Sequence, residues 1–257
     1  MNRIVQGQYK KCKFGCIYCF TNENYETNGQ TILTDNILTN VDLIQPFCDY
    51  DVFACENCDW KNEIAEYIKY NKIVSFATKA YISEERAQYL AEMNRILESM
   101  GSFLHVGISI TTIDYISEIE PRTTTFEQRV KSLINLFNYG IPCSVILRPL
   151  LPVLTEKELY RIIDETCDYC DNYVYGPLYL NAEIEEYLVK RGIKIQKVKH
   201  QAKWRKGEPY CEIFESEDSR KLERWLMDYC SKKNKAAFSS NDDAIDNIRK
   251  SMMENRF

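Results

Sequence analysis

Residues 106–154 open with Val106-Gly107-Ile108-Ser109-Ile110-Thr111 and close with Cys143-Ser144-Val145-Ile146-Leu147-Arg148-Pro149-Leu150-Leu151. Both runs are apolar and β-branched with almost no alternation, as expected of parallel strands covered on both faces. Between them, Thr125–Tyr139 places Val130, Leu133, Leu136 and Phe137 along one helical face. That helix stops at Gly140-Ile141-Pro142, a glycine followed closely by proline. Strand, helix and strand in this order form a β-α-β unit, and the same grammar recurs outward in both directions. Strands are expected at Arg3–Gln6, Val41–Pro46, Lys72–Thr78, Leu104–Thr111, Cys143–Arg148 and Tyr173–Leu178. Helices are expected at Lys61–Tyr70, Ser83–Met100 and Glu156–Cys167, the last with a capping box of Thr155 and Glu158. Six β-α alternations with right-handed crossovers give an α/β fold, either a doubly wound sheet or a barrel, closed or partial. After about residue 195 the pattern changes to a polar, basic stretch, a helix at Asp218–Lys232, and a polar tail, Lys233–Phe257, read as one more helix or partly disordered. The organisation expected is a core of residues 1–195 with an extension, 196–257.

Apolar residues make up 45% of the 257 and charged residues 28%, enough to bury a core and to argue against global disorder. The opening MNRIVQGQYKKCKFGC lacks an apolar signal region, and no apolar run approaches the roughly 20 residues that span a bilayer. A cytoplasmic, non-membrane protein is expected. A net charge of -5 gives no general help to nucleic-acid binding, although Lys197–Lys206, with Trp204 and Tyr210 nearby, offers a local basic patch with aromatics that could stack bases. Eleven cysteines, an odd number, argue against a disulfide framework in a reducing compartment and direct attention to ligands and reactive thiols.

Cys12, Cys16 and Cys19 have the spacing C-x3-C-x2-C in Lys11-Cys12-Lys13-Phe14-Gly15-Cys16-Ile17-Tyr18-Cys19-Phe20, just beyond the first expected strand. The C-terminal ends of parallel strands are where α/β folds bind ligands. Three thiolates on so short a loop can wrap one metal centre, with Gly15 permitting the turn. A [4Fe–4S] cluster held by three cysteines keeps one iron open, as catalysis requires. Structural zinc prefers four protein ligands, and no fourth stands in line.

The pattern C-x3-C-x-Tyr-Cys after a first strand, followed by further β-α units, resembles the radical S-adenosylmethionine superfamily. The resemblance runs over roughly residues 1–180 and implies a partial (βα)6 barrel of the TIM type, to which the pattern after residue 195 adds a C-terminal helical extension. It also implies that the methionine moiety of S-adenosylmethionine chelates the open iron. One electron, from a flavodoxin- or ferredoxin-type donor, then cleaves it to a 5′-deoxyadenosyl radical that abstracts a hydrogen atom. Tyr18 would lie beside the adenine. The run from Val106 to Leu154 is similar to the spore-photoproduct-lyase-like branch, in its strand, its Glu-Pro segment and its Gly-Ile turn into a further strand. The chain departs from branches carrying a Gly-Gly-Glu motif after the second strand. In the photoproduct-lyase branch a cysteine at the end of that strand donates a hydrogen atom, and Cys48 matches the place. Lys79, at a strand end, is positioned to pair with the cofactor's carboxylate, and Ser109 to bond its polar groups. Arg148 is a weaker candidate that could equally pair with Glu120. Phe20 stands where those lyases carry a tyrosine used in radical return, which points away from thymine-dimer repair. Resemblance favours a nucleic-acid base or nucleotide as substrate; the acidic charge favours a peptide or small metabolite.

Other features are less specific. Cys55 and Cys58 could join Cys48 in a second cluster, act as a redox dithiol, or top a helix near Trp60. With Cys167 and Cys170 they imitate a four-cysteine zinc site, if their loops meet. Cys143, Cys211 and Cys230 read as packing residues. His105 and His200 form no triad, and no phosphate-binding G-x-x-x-x-G-K loop occurs. The rival reading is a non-catalytic zinc or iron–sulfur module serving a partner protein.

Overall fold

A computed structural model describes residues 1–6, 10, 12–19, 33–201 and 210–254 of the chain. Phe20, Trp204 and the end of the basic segment fall outside them. From the N-terminus the elements are β1 (Arg3–Val5), α1 (Asp35–Leu38), β2 (Leu43–Gln45), α2 (Trp60–Ile68), β3 (Ile73–Thr78), α3 (Glu84–Ser99) and β4 (Leu104–Ser109). There follow α4 (Ile116–Ile119), α5 (Phe126–Asn138), β5 (Cys143–Leu147), α6 (Glu156–Thr166) and β6 (Asn172–Tyr175). The chain continues with β7 (Leu178–Tyr179), α7 (Ala182–Lys190), β8 (Lys197–Gln201), β9 (Tyr210–Phe214), α8 (Glu217–Lys232), β10 (Ala236–Phe238) and α9 (Asn241–Glu254). Seven parallel strands in the order β1-β2-β3-β4-β5-β6-β10 form one curled sheet, a partial TIM-type barrel.

Local chemistry explains the helix boundaries. Thr125 and Gln128 form a reciprocal capping box on α5, and Gly140 takes the positive φ of 68° that ends the turn after it. The box expected on α6 is only half made: Thr155 accepts from the Glu158 amide, but the Glu158 carboxylate turns away. It accepts instead from Thr112 Oγ1 and the Ile113 amide, both at 2.6 Å. The run expected as one strand at Tyr173–Leu178 breaks at Gly176-Pro177. Its first part stays in the barrel, while β7 pairs with β9 in a separate antiparallel sheet, β7-β9-β8.

Alternate residues of β3–β6 point inward and stack in layers, the arrangement that parallel barrels use to fill their interiors. The lowest layer is a hydrogen-bonded ladder. His105 Nδ1 and Nε2 contact Ser75 Oγ and Ser144 Oγ, each at 2.8 Å, and Ser144 donates to Asn172 Oδ1 at 2.7 Å. Burial lowers the His105 pKa to about 4, so it is neutral here. Above lie Ala77, Gly107, Ile146 and Val174, and above those Lys79, Ser109 and Arg148.

The polar tail joins the core sheet. β10 pairs with β6 as the seventh strand, and α9 reaches from there to the opposite edge of the sheet. Ala244 packs on Ile146 and Val174, and Ile245 and Ile248 pack on Leu43, Ile73 and Phe103. Asn172 Nδ2 donates to the Ala244 carbonyl at 3.0 Å, and Asp242 Oδ1 lies 3.2 Å from the Arg3 guanidinium on β1. Thus α9 floors the interior and links both edges of the sheet.

Candidate active site

A cavity of about 370 Å³ opens at the C-terminal ends of the strands. Its walls include Cys12, Cys16, Tyr18, Cys19, Cys48, Lys79 and Ser109, all residues singled out from sequence. A second cavity, about 220 Å³, lies at the opposite end of the sheet by Lys72, Phe103 and Met252, and carries none of them.

The cysteine loop is built by backbone constraints. Gly15 has φ +59°, the left-handed region that strains any residue with a Cβ, and the exposed Arg122 guanidinium packs over it. The Cys19 amide donates to the Cys16 carbonyl at 3.0 Å, and the Ile17 amide to the Ile119 carbonyl at 3.0 Å. Asn181 Nδ2 donates to the Ile17 carbonyl at 3.0 Å. On the other side, the Lys13 amide donates to the Ala54 carbonyl at 3.0 Å, and the backbones of Cys12 and Cys55 form an isolated antiparallel β-bridge. Asp51 ties that supporting segment to β3, accepting from Thr78 Oγ1 at 2.7 Å and from the Lys79 amide at 2.9 Å. Burial nevertheless raises the Asp51 pKa.

Burial pushes the Cys16 thiol up to about 12, with Lys79 opposing the shift; the Cys12 thiol is also raised by burial. Among the described residues no three acids, histidines or cysteines are already drawn together as a closed ligand set. The donor chemistry nevertheless fits an iron–sulfur cluster. Three thiols on one constrained turn face a common cavity, and metal binding would displace their protons.

Lys79 joins this loop to a buried charge network. Its Nζ donates to Ser109 Oγ at 2.6 Å, lies 3.1 Å from Glu120 Oε1, and stands 5.6 Å from the centre of the Tyr18 ring. The Tyr18 and Thr111 hydroxyls donate to the same Oε1. Arg129 NH2 contacts the other oxygen at 2.6 Å, and both its side chain and that of Glu120 are 0% exposed. Burial works to raise the Glu120 pKa, but Lys79, Arg129 and the hydroxyl donors together bring it down to about 2. Burial and the adjacent carboxylate hold the Tyr18 hydroxyl well above its ordinary range. Sequence reasoning named Glu120 only as a conceivable partner for Arg148; its partners are Lys79 and Arg129. Arg148 lies instead beside Gly176, where a Cβ would come within 2.4 Å of its Nε.

Cys48 lines the cavity at the end of β2, its amide donating to the Gln6 carbonyl at 3.1 Å. Cys55 and Cys58 form a disulfide with each other. While that bond is intact neither offers a thiolate, either to a second cluster with Cys48 or to a zinc site with Cys167 and Cys170. The latter two are buried near Cys230 and Lys235. Replacing both Cys55 and Cys58 by alanine should leave the iron content after anaerobic reconstitution within about twofold of wild type, measured per protein by a colorimetric iron assay. The basic segment is partly neutralised, since Lys197 pairs with Glu185 at 2.8 Å and Glu212 at 3.0 Å.

A parallel partial barrel with three cysteines facing one cavity at its strand ends defines a thiol-bearing α/β protein with a site open to ligands. Residues 9–166 match the radical SAM superfamily, and the chain belongs to that superfamily. Over 201 residues it is 24% identical to the uncharacterized protein MJ0683 of Methanocaldococcus jannaschii, covering 72% of this chain and 75% of that one. Its fold is similar to spore photoproduct lyase complexed with dinucleoside spore photoproduct, with a TM-score of 0.59, 11% identity, and coverage of 92% of this chain and 81% of that one. It is also similar to Streptococcus suis SuiB bound to S-adenosylmethionine, with a TM-score of 0.58, 12% identity, and coverage of 92% of this chain and 49% of SuiB. At these identities the likeness is one of fold. No helix among the described residues is long and apolar enough to cross a membrane.

Proposed function

We propose that the chain is a radical S-adenosylmethionine enzyme of lyase or modifying type, with Cys12, Cys16 and Cys19 holding a [4Fe–4S] cluster. The supporting observation is that these cysteines, Lys79 and Cys48 all face one cavity at the strand ends. When bound and reduced by a flavodoxin- or ferredoxin-type partner, the cluster supplies the electron that splits S-adenosylmethionine. The chain's own residues bind and orient. Lys79 offers its ammonium to the cofactor's carboxylate, Ser109 its hydroxyl, and Tyr18 its ring face. The network behind Lys79 leaves that ammonium poised, because Glu120 is shared with Arg129 rather than fully neutralising the lysine. Cys48 is the hydrogen-atom donor: an S–H bond is weaker than most C–H bonds, so a thiol facing the cavity quenches a carbon radical downhill.

Anaerobic reconstitution tests this reading. Cluster absorbance with dithionite-dependent release of 5′-deoxyadenosine is expected. Stoichiometric zinc without that product would instead establish a binding module. Cys48→Ala should still release 5′-deoxyadenosine but divert the substrate radical to other products, read by mass spectrometry; an unchanged product profile would refute the donor role.

A further inference from the structure

One part of the cavity has no task in the cofactor reading. On its floor side, Arg148, Arg3, Gln45 and Tyr179 meet Asn241, the first residue of α9. Asn241 is 8% exposed, yet its Nδ2 has no hydrogen-bond partner. A buried donor left unmade costs stability and is rare without a reason. Arg148 makes no hydrogen bond or ion pair among the described residues, and burial disfavours the charge it carries. Arg3 holds Asp242 at 3.2 Å, in ion-pair contact. Among the described residues Arg148 therefore has no direct partner of its own, only attraction at longer range from Tyr179 and Asp242. It lies beside the start of a 14-residue helix whose positive end is partly offset by Asp242 and Asp243 in its first turn. The acids Asp49 and Asp51 line the Cys48 side of the same cavity, and Asp51 is engaged by Thr78 and the Lys79 amide.

We infer that this corner, formed by Arg148, Asn241 and the start of α9, binds a compact oxyanion on the substrate, a carboxylate or a phosphate. The inference rests on reading the cavity as the reaction site. The anion accepts from the Arg148 guanidinium and from Asn241 Nδ2, satisfying both groups at once. With the cofactor held at the Lys79 end, this fixes which part of the substrate faces the cofactor. It selects a small acidic metabolite or a mononucleotide over an uncharged molecule.

The test uses the apo protein and two probes, orthophosphate and acetate, titrated by isothermal calorimetry. Saturable binding of at least one is expected, and the tighter of the two tells phosphate from carboxylate. Arg148→Gln should weaken it by about tenfold or more, as for loss of a charge-assisted hydrogen bond, and Asn241→Ala by a smaller factor. Arg148→Lys should retain part of the affinity, and circular dichroism verifies that each variant is folded. Wild-type affinity in a folded Arg148→Gln, or no saturable binding of either probe, would overturn the inference. A separate arm adds a saturating concentration of the bound probe to the reconstituted wild-type enzyme. Undiminished 5′-deoxyadenosine release is expected; inhibition competitive with S-adenosylmethionine would assign the corner to the cofactor and overturn the inference. Absence of any 5′-deoxyadenosine without probe would sink the radical reading while the calorimetry still judged the anion site.

Discussion

Cys16→Ala is expected to leave the reconstituted protein without its iron–sulfur absorbance and to lower dithionite-driven 5′-deoxyadenosine release by more than about 100-fold. Removing even an outer partner of a metal ligand commonly costs about 10–100-fold in affinity or activity, and on the proposed reading a ligand itself would go. The Cys16 position is demanding because the thiol is buried and its proton tightly held, with a pKa near 12. A metal must therefore bind strongly enough to displace that proton. Cys16 lies on a turn fixed by Gly15 and by the Asn181 contact to the neighbouring carbonyl, so alanine should not unfold the loop. A folded Cys16→Ala that kept wild-type iron would remove the basis for assigning the triplet.

The second large effect concerns stability. Glu120→Ala strips the carboxylate from a fully buried Arg129 and leaves its charge without compensation. Breaking one partner of a buried pair costs about 3–5 kcal/mol. At about 2–4 °C per kcal/mol for a chain of this size, the melting temperature should fall by roughly 6–20 °C. Glu120→Gln keeps the shape and part of the bonding, and should lose less. The same carboxylate gives a pH signature. Its folded pKa is about 2 against an ordinary value of 4.5, so the unfolded chain takes up its proton first. Its stabilisation is complete above pH 4.5 and is lost as the pH falls toward 2. Urea titrations between pH 6 and 3 should show wild type losing stability as acid is added, with a shallower decline in Glu120→Gln. Parallel declines would exclude Glu120 as a source of the acid sensitivity.

The strands at Ile73–Thr78, Leu104–Ser109 and Cys143–Leu147 were legible because both faces are buried, and double burial writes an unbroken β-branched run. That Cys12, Cys16 and Cys19 face one cavity was legible because their three thiols are confined to eight adjacent residues, Cys12 to Cys19. What escaped depends on contacts that no local period records. β10 is only three residues, Ala236–Phe238, and takes its meaning from pairing with β6. In α9 the apolar Ala244, Ile245 and Ile248 sit among charged neighbours, so the helix reads as a solvated tail although that narrow stripe is buried. Arg129 reads as an ordinary surface charge on an amphipathic helix; only the turn after α4 brings Glu120 to it. Glu158 follows the spelling of a capping box, yet Thr112 and the Ile113 amide compete for its carboxylate and win.

The position of α9 also has a consequence for how the protein is made. Translation runs from the N-terminus, so a nascent chain that has reached residue 235 carries every cysteine of the triplet but neither β10 nor α9. The outer hydrogen-bonding groups of β6 then lack a neighbour, and Ile146 and Val174 face an unfilled barrel. Naked strand edges of this kind recruit other chains. On the proposed reading, a cluster inserted before β10 and α9 are in place would enter a half-built vessel, whereas insertion afterwards meets one already sealed from below.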